Sequence, residues 1–371
     1  MGMFDKSPFI VIWEVTRACE LACLHCRAEA QPKADPRQLT TEEGYRLLDQ
    51  IREFGNPAPV VVFTGGDPLM RPDLFDLISY GVSIGLKISM TPSATPHVTK
   101  EAMEKAKAAG LSRWAFSIDG SSPEIHDAFR GVAGSFQRTI QAIEYLHELQ
   151  LPIQINTTVS RYNLHDLDNL ADLMKQLQAV LWSVFFLVPT GRGKMNDMIS
   201  PEEHEQVFQW LYELSKTAPF DIKTTAAQHY RRVAIQHGKE DGRNVSRMDL
   251  KGVQRNDPGQ EDGIGRSMYG VNDGNGFVFV SHLGDVQPSG FLPVTAGNVR
   301  KQSLADIYRN SPVFQSLRDP NGFKGKCGVC NFRFVCGGSR ARAYALTGDY
   351  LESEPYCVYL PPAYQQTGQT V

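Results

Sequence analysis

The sequence has no long hydrophobic run. Its longest apolar stretches, Val180 to Val188 and Pro59 to Phe63, fall well short of the ~20 residues a membrane-spanning helix needs, and no signal peptide opens the chain. A cytoplasmic protein with no membrane partner is the expectation. Charge of one sign is lacking too: 38 basic and 41 acidic residues leave a formal net charge of −3. Such a balance gives no field to hold a polyanion, so nucleic acid is not expected as a partner. Neither an internal repeat nor a low-complexity tract occurs. Hydrophobic residues at 42% and charged residues at 21% are near ordinary globular values, which sets aside disorder and a disulfide scaffold alike. At 371 residues the chain exceeds the roughly 250–300 at which one core stops growing, so a large domain, a smaller one and two cores are expected.

What is present, from residue 8 to about 200, is an alternation of β-branched runs with amphipathic helical patterns. The strand candidates are FIVIWEV (9–15), PVVVFTGG (59–66), LKISMTP (86–92), RWAFSID (113–119), IQINTTV (153–159) and WSVFFLVP (182–189). Between the first two, Thr40 and Glu43 have capping-box spacing at the start of a helical stretch that runs to Phe54. Strands this apolar on both faces read as parallel and buried, with helices outside. The expected class is therefore α/β, a partial (β/α)6 TIM-like barrel, with an open doubly wound sheet as the lesser alternative. Either arrangement gathers ligands at the C-terminal ends of the strands. Residues 201–275 read as a connecting segment, with helices at roughly 201–216 and 225–237 and then a glycine-rich stretch, 252–276, suited to a lid or a plain linker. A small C-terminal domain, 276–361, opens on the hairpin FVFVSHLGDVQP with Leu283, Gly284 and Asp285 at its turn.

The seven cysteines divide into three and four. Cys19, Cys23 and Cys26 follow the first strand with Cys-x3-Cys-x2-Cys spacing. Three thiolates on one tight loop can each bind one iron of a cubane and leave the fourth iron open to a ligand. The alternatives are a zinc site completed by His25, or cysteines that pack in a core. Cys327, Cys330, Cys336 and Cys357 supply four thiolates, enough to close a second four-iron cluster or a structural zinc; spacing leaves both open.

The cysteine loop after strand one, the GGDPL motif after strand two and the six βα units together resemble the radical S-adenosylmethionine (AdoMet) superfamily, over essentially the whole chain. That resemblance implies a [4Fe-4S] cluster at Cys19, Cys23 and Cys26. AdoMet would chelate its open iron and be cleaved there to a 5′-deoxyadenosyl radical that abstracts hydrogen from a substrate. It further implies that Thr64, Gly65, Gly66 and Asp67 hold the AdoMet amino group. Ser117 and Asp119, in SIDG, would meet ribose hydroxyls, and Arg130 would pair with the AdoMet carboxylate. Asn156 and Thr158 are candidates for the sugar or methionine end, and Val188, in LVPTGRG, for the adenine.

At the other end, CGVCNFRFVCGGSRARAYALTGDYLESEPYC is similar to the iron-sulfur extension called SPASM or twitch. Ser289 stands where many relatives carry a cysteine, so one auxiliary iron-sulfur cluster is expected, of the [4Fe-4S] type by ligand count. The shortened pattern is most similar to the radical AdoMet enzymes of haem and haem-d1 biosynthesis. Their tetrapyrrole substrates bear several carboxylates, for which Arg192, Arg340 and Arg342 are candidate partners. The resemblance implies removal or decarboxylation of a tetrapyrrole side chain, with a flavodoxin or ferredoxin as electron donor. A peptide maturase is the second reading; the brevity of the segment before the first strand, about eight residues, weighs against it. The third is a noncatalytic iron-sulfur or haem carrier, against which stand the open three-cysteine site and the lack of Cys-x-x-Cys-His.

Overall fold

The computed structural model describes residues 2–242 and 270–365. Most of the glycine-rich stretch, 252–269, lies outside the described residues.

All six expected strands form, in chain order and parallel: β1 Ile10–Thr16, β2 Val60–Gly65, β3 Ile88–Met90, β4 Arg113–Ser117, β5 Ile153–Val159 and β6 Leu181–Phe186. Their alternate side chains, among them Trp13, Phe63, Trp114, Phe116 and Trp182, are fully buried. Helices cover the outer face, and the first, Thr41–Arg52, starts at the expected capping box: the Glu43 amide donates to Thr40 Oγ1 at 3.3 Å and the Thr40 amide to Glu43 Oε2 at 2.9 Å. Among the described residues the strand order ends at two edges that do not pair with each other, so the barrel is partial.

Two features differ from expectation. A seventh parallel strand, β7 Asp221–Thr225, pairs with β6 from Leu181↔Asp221 to Phe185↔Thr225, between the helices Pro201–Ser215 and Tyr230–Glu240. Its sequence, DIKTT, has no apolar run because an edge strand need bury only one face; Ile222 alone is fully buried there. At the opposite edge, β8 Asn272–Asp273 leads into β9 Gly276–Val280, which lies parallel to β1 from Ile10↔Phe277 to Trp13↔Val280. The hairpin then continues through β10 Asp285–Gln287 to β11 Gly297–Asn298. The C-terminal part thus extends the barrel sheet, and one apolar cluster runs from Val11 to Val278, Val280, Val286 and Phe314. Two small satellite clusters stand apart among the described residues, one around Val188, Leu292, Leu317 and Ala341 and one around Cys19, Leu21 and Cys23.

The helix Arg340–Thr347 fastens the C-terminal part to the barrel and corrects two expectations. Arg342 is fully buried. Its Nη2 donates to the Ala226 carbonyl at 2.8 Å and approaches the Phe186 and Leu187 carbonyls at 3.5 Å, while its Nη1 faces Glu354 at 3.3 Å. Arg340 donates to the carbonyls of Glu352 at 2.6 Å and Tyr350 at 3.2 Å, and its Nη2 lies 3.5 Å from Cys327 Sγ. Both guanidinium groups are buried, neither lines the cleft, and both brace the cysteine-bearing loops. Arg342→Ala would strand Glu354 in the interior, at a cost of roughly 3–5 kcal/mol. The expected result is a clearly lowered unfolding midpoint; a variant as stable as the parent would remove this tie from the account.

Candidate active site

The cysteine loop leaves β1 at Thr16 and is closed on itself where the Cys19 amide donates to Gln31 O at 2.8 Å and the Gln31 amide to Arg17 O at 2.9 Å. The end of β2 presses against it. The Gly66 amide donates to Thr16 O at 2.9 Å and the Asp67 amide to Ala18 O at 2.6 Å. A Cβ at Gly65 would lie 2.1 Å from Thr16 O, and one at Gly66 would lie 2.2 Å from Ala18 O. These glycines therefore admit the cysteine loop's own backbone, where the sequence suggested approach to a ligand.

A cleft opens at the C-terminal ends of the strands. Cys19, Cys23 and Cys26 line it, together with Thr64, Gly65, Gly66, Ser117, Arg130, Asn156, Thr158 and Val188. Asp67 and Asp119 do not, and both are fully buried. Asp67 accepts from Thr95 Oγ1 at 2.6 Å and from the amides of Leu69 and Ser93, so it joins the loops after β2 and β3. Burial pushes its carboxyl up to about 6, against the pull of those hydrogen bonds. Asp119 pairs with Arg130 and accepts from the Thr158 amide at 2.7 Å. It orients the arginine, whose Nη1 reaches to 3.7 Å from Cys23 Sγ.

Arg192 is placed by Gly191, whose φ is +58° and whose Cβ would stand 2.4 Å from Cys26 O. The Arg192 amide donates to Cys26 O at 3.0 Å and its Nε to Cys23 O at 2.9 Å, while its buried Nη2 has no hydrogen-bond partner among the described residues. His25 stacks on Phe129 with ring centroids 4.2 Å apart, and burial holds its imidazole well below the usual range. Other residues on the wall were not anticipated: Arg27, Ser93, Phe185 and Phe291. Arg27 Nη1 stands 3.0 Å from the carboxylate of buried Glu14, which also accepts from His282 Nδ1 at 2.7 Å. Although burial works to raise it, Arg27 and His282 keep the Glu14 carboxyl below its ordinary value. One signal was available, since Glu14 is a lone charge inside the apolar run FIVIWEV.

The thiols suit metal ligation. Burial pushes those of Cys19 and Cys23 up, so a bare thiolate is disfavoured there, whereas coordination removes the proton outright. Amides already point at the sulfurs: Leu21 to Cys19 at 3.3 Å and Ala30 to Cys26 at 3.4 Å. In the second group Glu354 donates to Cys327 at 3.3 Å, Phe332 to Cys330 and Gly338 to Cys336, both at 3.4 Å. Among the described residues no three His, Cys, Asp or Glu side chains are gathered as ligands of one metal ion.

This geometry meets its counterpart in known proteins. The chain is 43% identical over 361 residues to a protein of Methanosarcina barkeri named AdoMet-dependent heme synthase, covering 97% of this chain and 99% of that one. Residues 13–174 match the model of the radical SAM superfamily. The chain belongs to that superfamily. Residues 273–331 match SPASM, an iron-sulfur cluster-binding domain, so this radical SAM enzyme works with iron-sulfur clusters and AdoMet. Mycofactocin maturase MftC of Mycolicibacterium smegmatis is more distant, at 28% identity over 95% of this chain and 83% of that one. Among solved structures, SuiB of Streptococcus suis superposes with a TM-score of 0.69 over 95% of this chain and 78% of its own, at 17% identity, a likeness of fold. No helix among the described residues is long and apolar enough to cross a membrane.

Asp67 gives the site a pH signature. Between the unfolded value near ~4 and the folded value of about 6, the folded chain binds the proton more tightly, so its contribution to stability falls as pH rises through that window and is level above it. Asp67→Asn removes the slope. Comparing unfolding midpoints of the two proteins from about pH 4.5 to about pH 7 should show the parent losing ground; a constant difference would contradict the assignment.

Proposed function

We propose that this radical SAM enzyme acts on a side chain of a tetrapyrrole haem precursor, abstracting hydrogen and leading to decarboxylation or loss of the side chain. The observation that carries the reading is the cleft itself, in which three cysteines share a wall with cationic and flat apolar groups. Cys19, Cys23 and Cys26 hold an open-site [4Fe-4S] cluster, which when bound supplies the electron that cleaves AdoMet to a 5′-deoxyadenosyl radical. Thr64, Gly65, Gly66, Ser117, Asn156, Thr158 and Val188 contact AdoMet from the surrounding strand ends, and Arg130, held by Asp119, takes its carboxylate. Cys327, Cys330, Cys336 and Cys357 close an auxiliary [4Fe-4S] cluster braced by Arg340. Phe185 and Phe291, with ring centroids 6.1 Å apart, give the cleft the apolar surface a macrocycle needs. Arg192 offers its buried Nη2 to an acidic group of the substrate. The similarity to AdoMet-dependent heme synthase along nearly the whole chain supports this substrate class over the peptide of a maturase, to which the likeness is weaker. The setting is cytoplasmic, with a flavodoxin or ferredoxin as donor.

Two measurements test the reading. Reconstituted protein should hold about eight irons per chain, and Cys19, Cys23 or Cys26 changed to Ala should abolish 5′-deoxyadenosine release, while changes at the other four cysteines leave the first cluster assembled. Release at a normal rate from any of the first three variants would overturn the open-site assignment. Incubation with AdoMet, a reductant and separate panels of sirohaem-derived porphyrins and candidate peptides should give a porphyrin product lighter by ~44 Da per carboxylate lost as CO2. Modification of a peptide alone would transfer the enzyme to the maturases.

A further inference from the structure

Arg27 is the cation of the cleft that neither the cysteine spacing nor the AdoMet contacts explain. It follows Cys26 directly, yet its guanidinium is held by parts of the chain far from the cysteine loop. Glu14, inside β1 and 3% exposed, stands 3.0 Å from Nη1. Phe279, on β9, lies against the guanidinium face with Cζ 4.6 Å from the ring centroid. Gly290, beyond β10, comes so close that a Cβ there would be 2.9 Å from Cδ and 3.0 Å from Nε. Any side chain at 290 would press on the guanidinium, and only glycine lets the chain pass so close to it. Among the described residues no acceptor is bonded to Nε or Nη2, and the residue lines the cleft beside Phe185 and Phe291.

A guanidinium fixed on one nitrogen and one face, with no acceptor among the described residues on its second edge, is prepared for a planar bidentate acceptor. From this we infer that Arg27 binds a carboxylate of the substrate, with Glu14 as its positioning residue. The inference rests on the tetrapyrrole reading for the identity of the carboxylate. Glu14 in turn is fixed by His282, which donates to its other oxygen at 2.7 Å. The barrel strand, the cysteine loop and the C-terminal hairpin thereby meet at one arginine, which sets where the substrate's acidic group lies relative to the open iron.

The test uses the reconstituted enzyme with iron coproporphyrin III, which carries four propionates, and its tetra-amide. Binding is followed by porphyrin absorbance, and AdoMet engagement by the change it causes in the spin-resonance spectrum of the reduced cluster. Wild type should prefer the carboxylate probe. Arg27→Gln should weaken that probe about 10- to 100-fold and erase the preference, with the AdoMet-induced change preserved. Arg27→Lys, which keeps the charge that Glu14 requires, should lose less, and it carries the same comparison if the glutamine variant fails to assemble. Glu14→Gln should reduce the preference while retaining binding of the tetra-amide. An undiminished preference in the Arg27 variants overturns the inference, and so does loss of the AdoMet response, which would give the residue to the cofactor. Should wild type bind neither porphyrin, the tetrapyrrole reading falls first and this inference falls with it.

Discussion

The contact on which the site depends is between two pieces of main chain. Gly65 and Gly66 at the end of β2 press on the carbonyls of Thr16 and Ala18, and Gly191 beyond β6 presses on that of Cys26. At each place the room left is less than a Cβ requires, so the cysteine loop is clamped from two sides by backbone. Amides of Gly66, Asp67 and Arg192 use the loop's carbonyls as acceptors, which satisfies polar groups that would otherwise be buried unpaired. Side chains of the loop are thereby released from structural duty. The sulfurs can face the cleft, and the vacant position of an iron bound there would be fixed by strands that reach across the barrel.

A second constraint is the cost of placing arginine inside a protein. Each guanidinium carries five donors and cannot shed its proton, so a buried one must be surrounded by acceptors. Arg71 meets that demand at all three nitrogens, Arg340 and Arg342 meet it at their Nη atoms mainly with carbonyl oxygens and a carboxylate, and each ties together segments distant in sequence. Arg27, Arg130 and Arg192 meet it only partly. Each is anchored by one or two protein groups, Glu14, Asp119 and the Cys23 carbonyl respectively, and each lines the cleft. The division between structural and functional arginines follows from how many acceptors surround them, a quantity that sequence does not display.

That is why the reading from sequence succeeds at some positions and fails at others. Cysteine spacing, the alternation of apolar strands and the Thr40 capping box are local patterns, and local hydrogen bonding realises them. The orientation of a carboxylate is not local. Asp67 and Asp119 stand at strand ends, where a ligand contact is the natural expectation, but Thr95 reaches the first from another loop and Arg130 the second from the end of the helix Pro123–Arg130, and neither carboxylate lines the cleft. Strand β7 escaped notice because edge strands need little hydrophobicity, and RAR on a short helix offers Arg340 and Arg342 to a substrate until the helix is seen to be covered. Arg27 lay in plain view beside Cys26; only Glu14, Phe279 and Gly290, gathered by the fold, distinguish it from a solvated arginine.

The pairing of β9 with β1 draws these points together. A small cysteine-rich unit has too little apolar surface to sustain a core of its own, and here it avoids the need by lending Val278 and Val280 to the barrel core. The register Ile10↔Phe277 to Trp13↔Val280 then decides more than stability. Side chains alternate along a strand, so a slip of one residue would turn Phe279 away from Arg27 and carry His282 away from Glu14. Strand pairing therefore fixes the C-terminal cysteines, the cleft wall and the anchoring of Arg27 in a single step. The same hydrogen-bonded ladder that stabilises the C-terminal unit also sets its geometry relative to the radical-forming site.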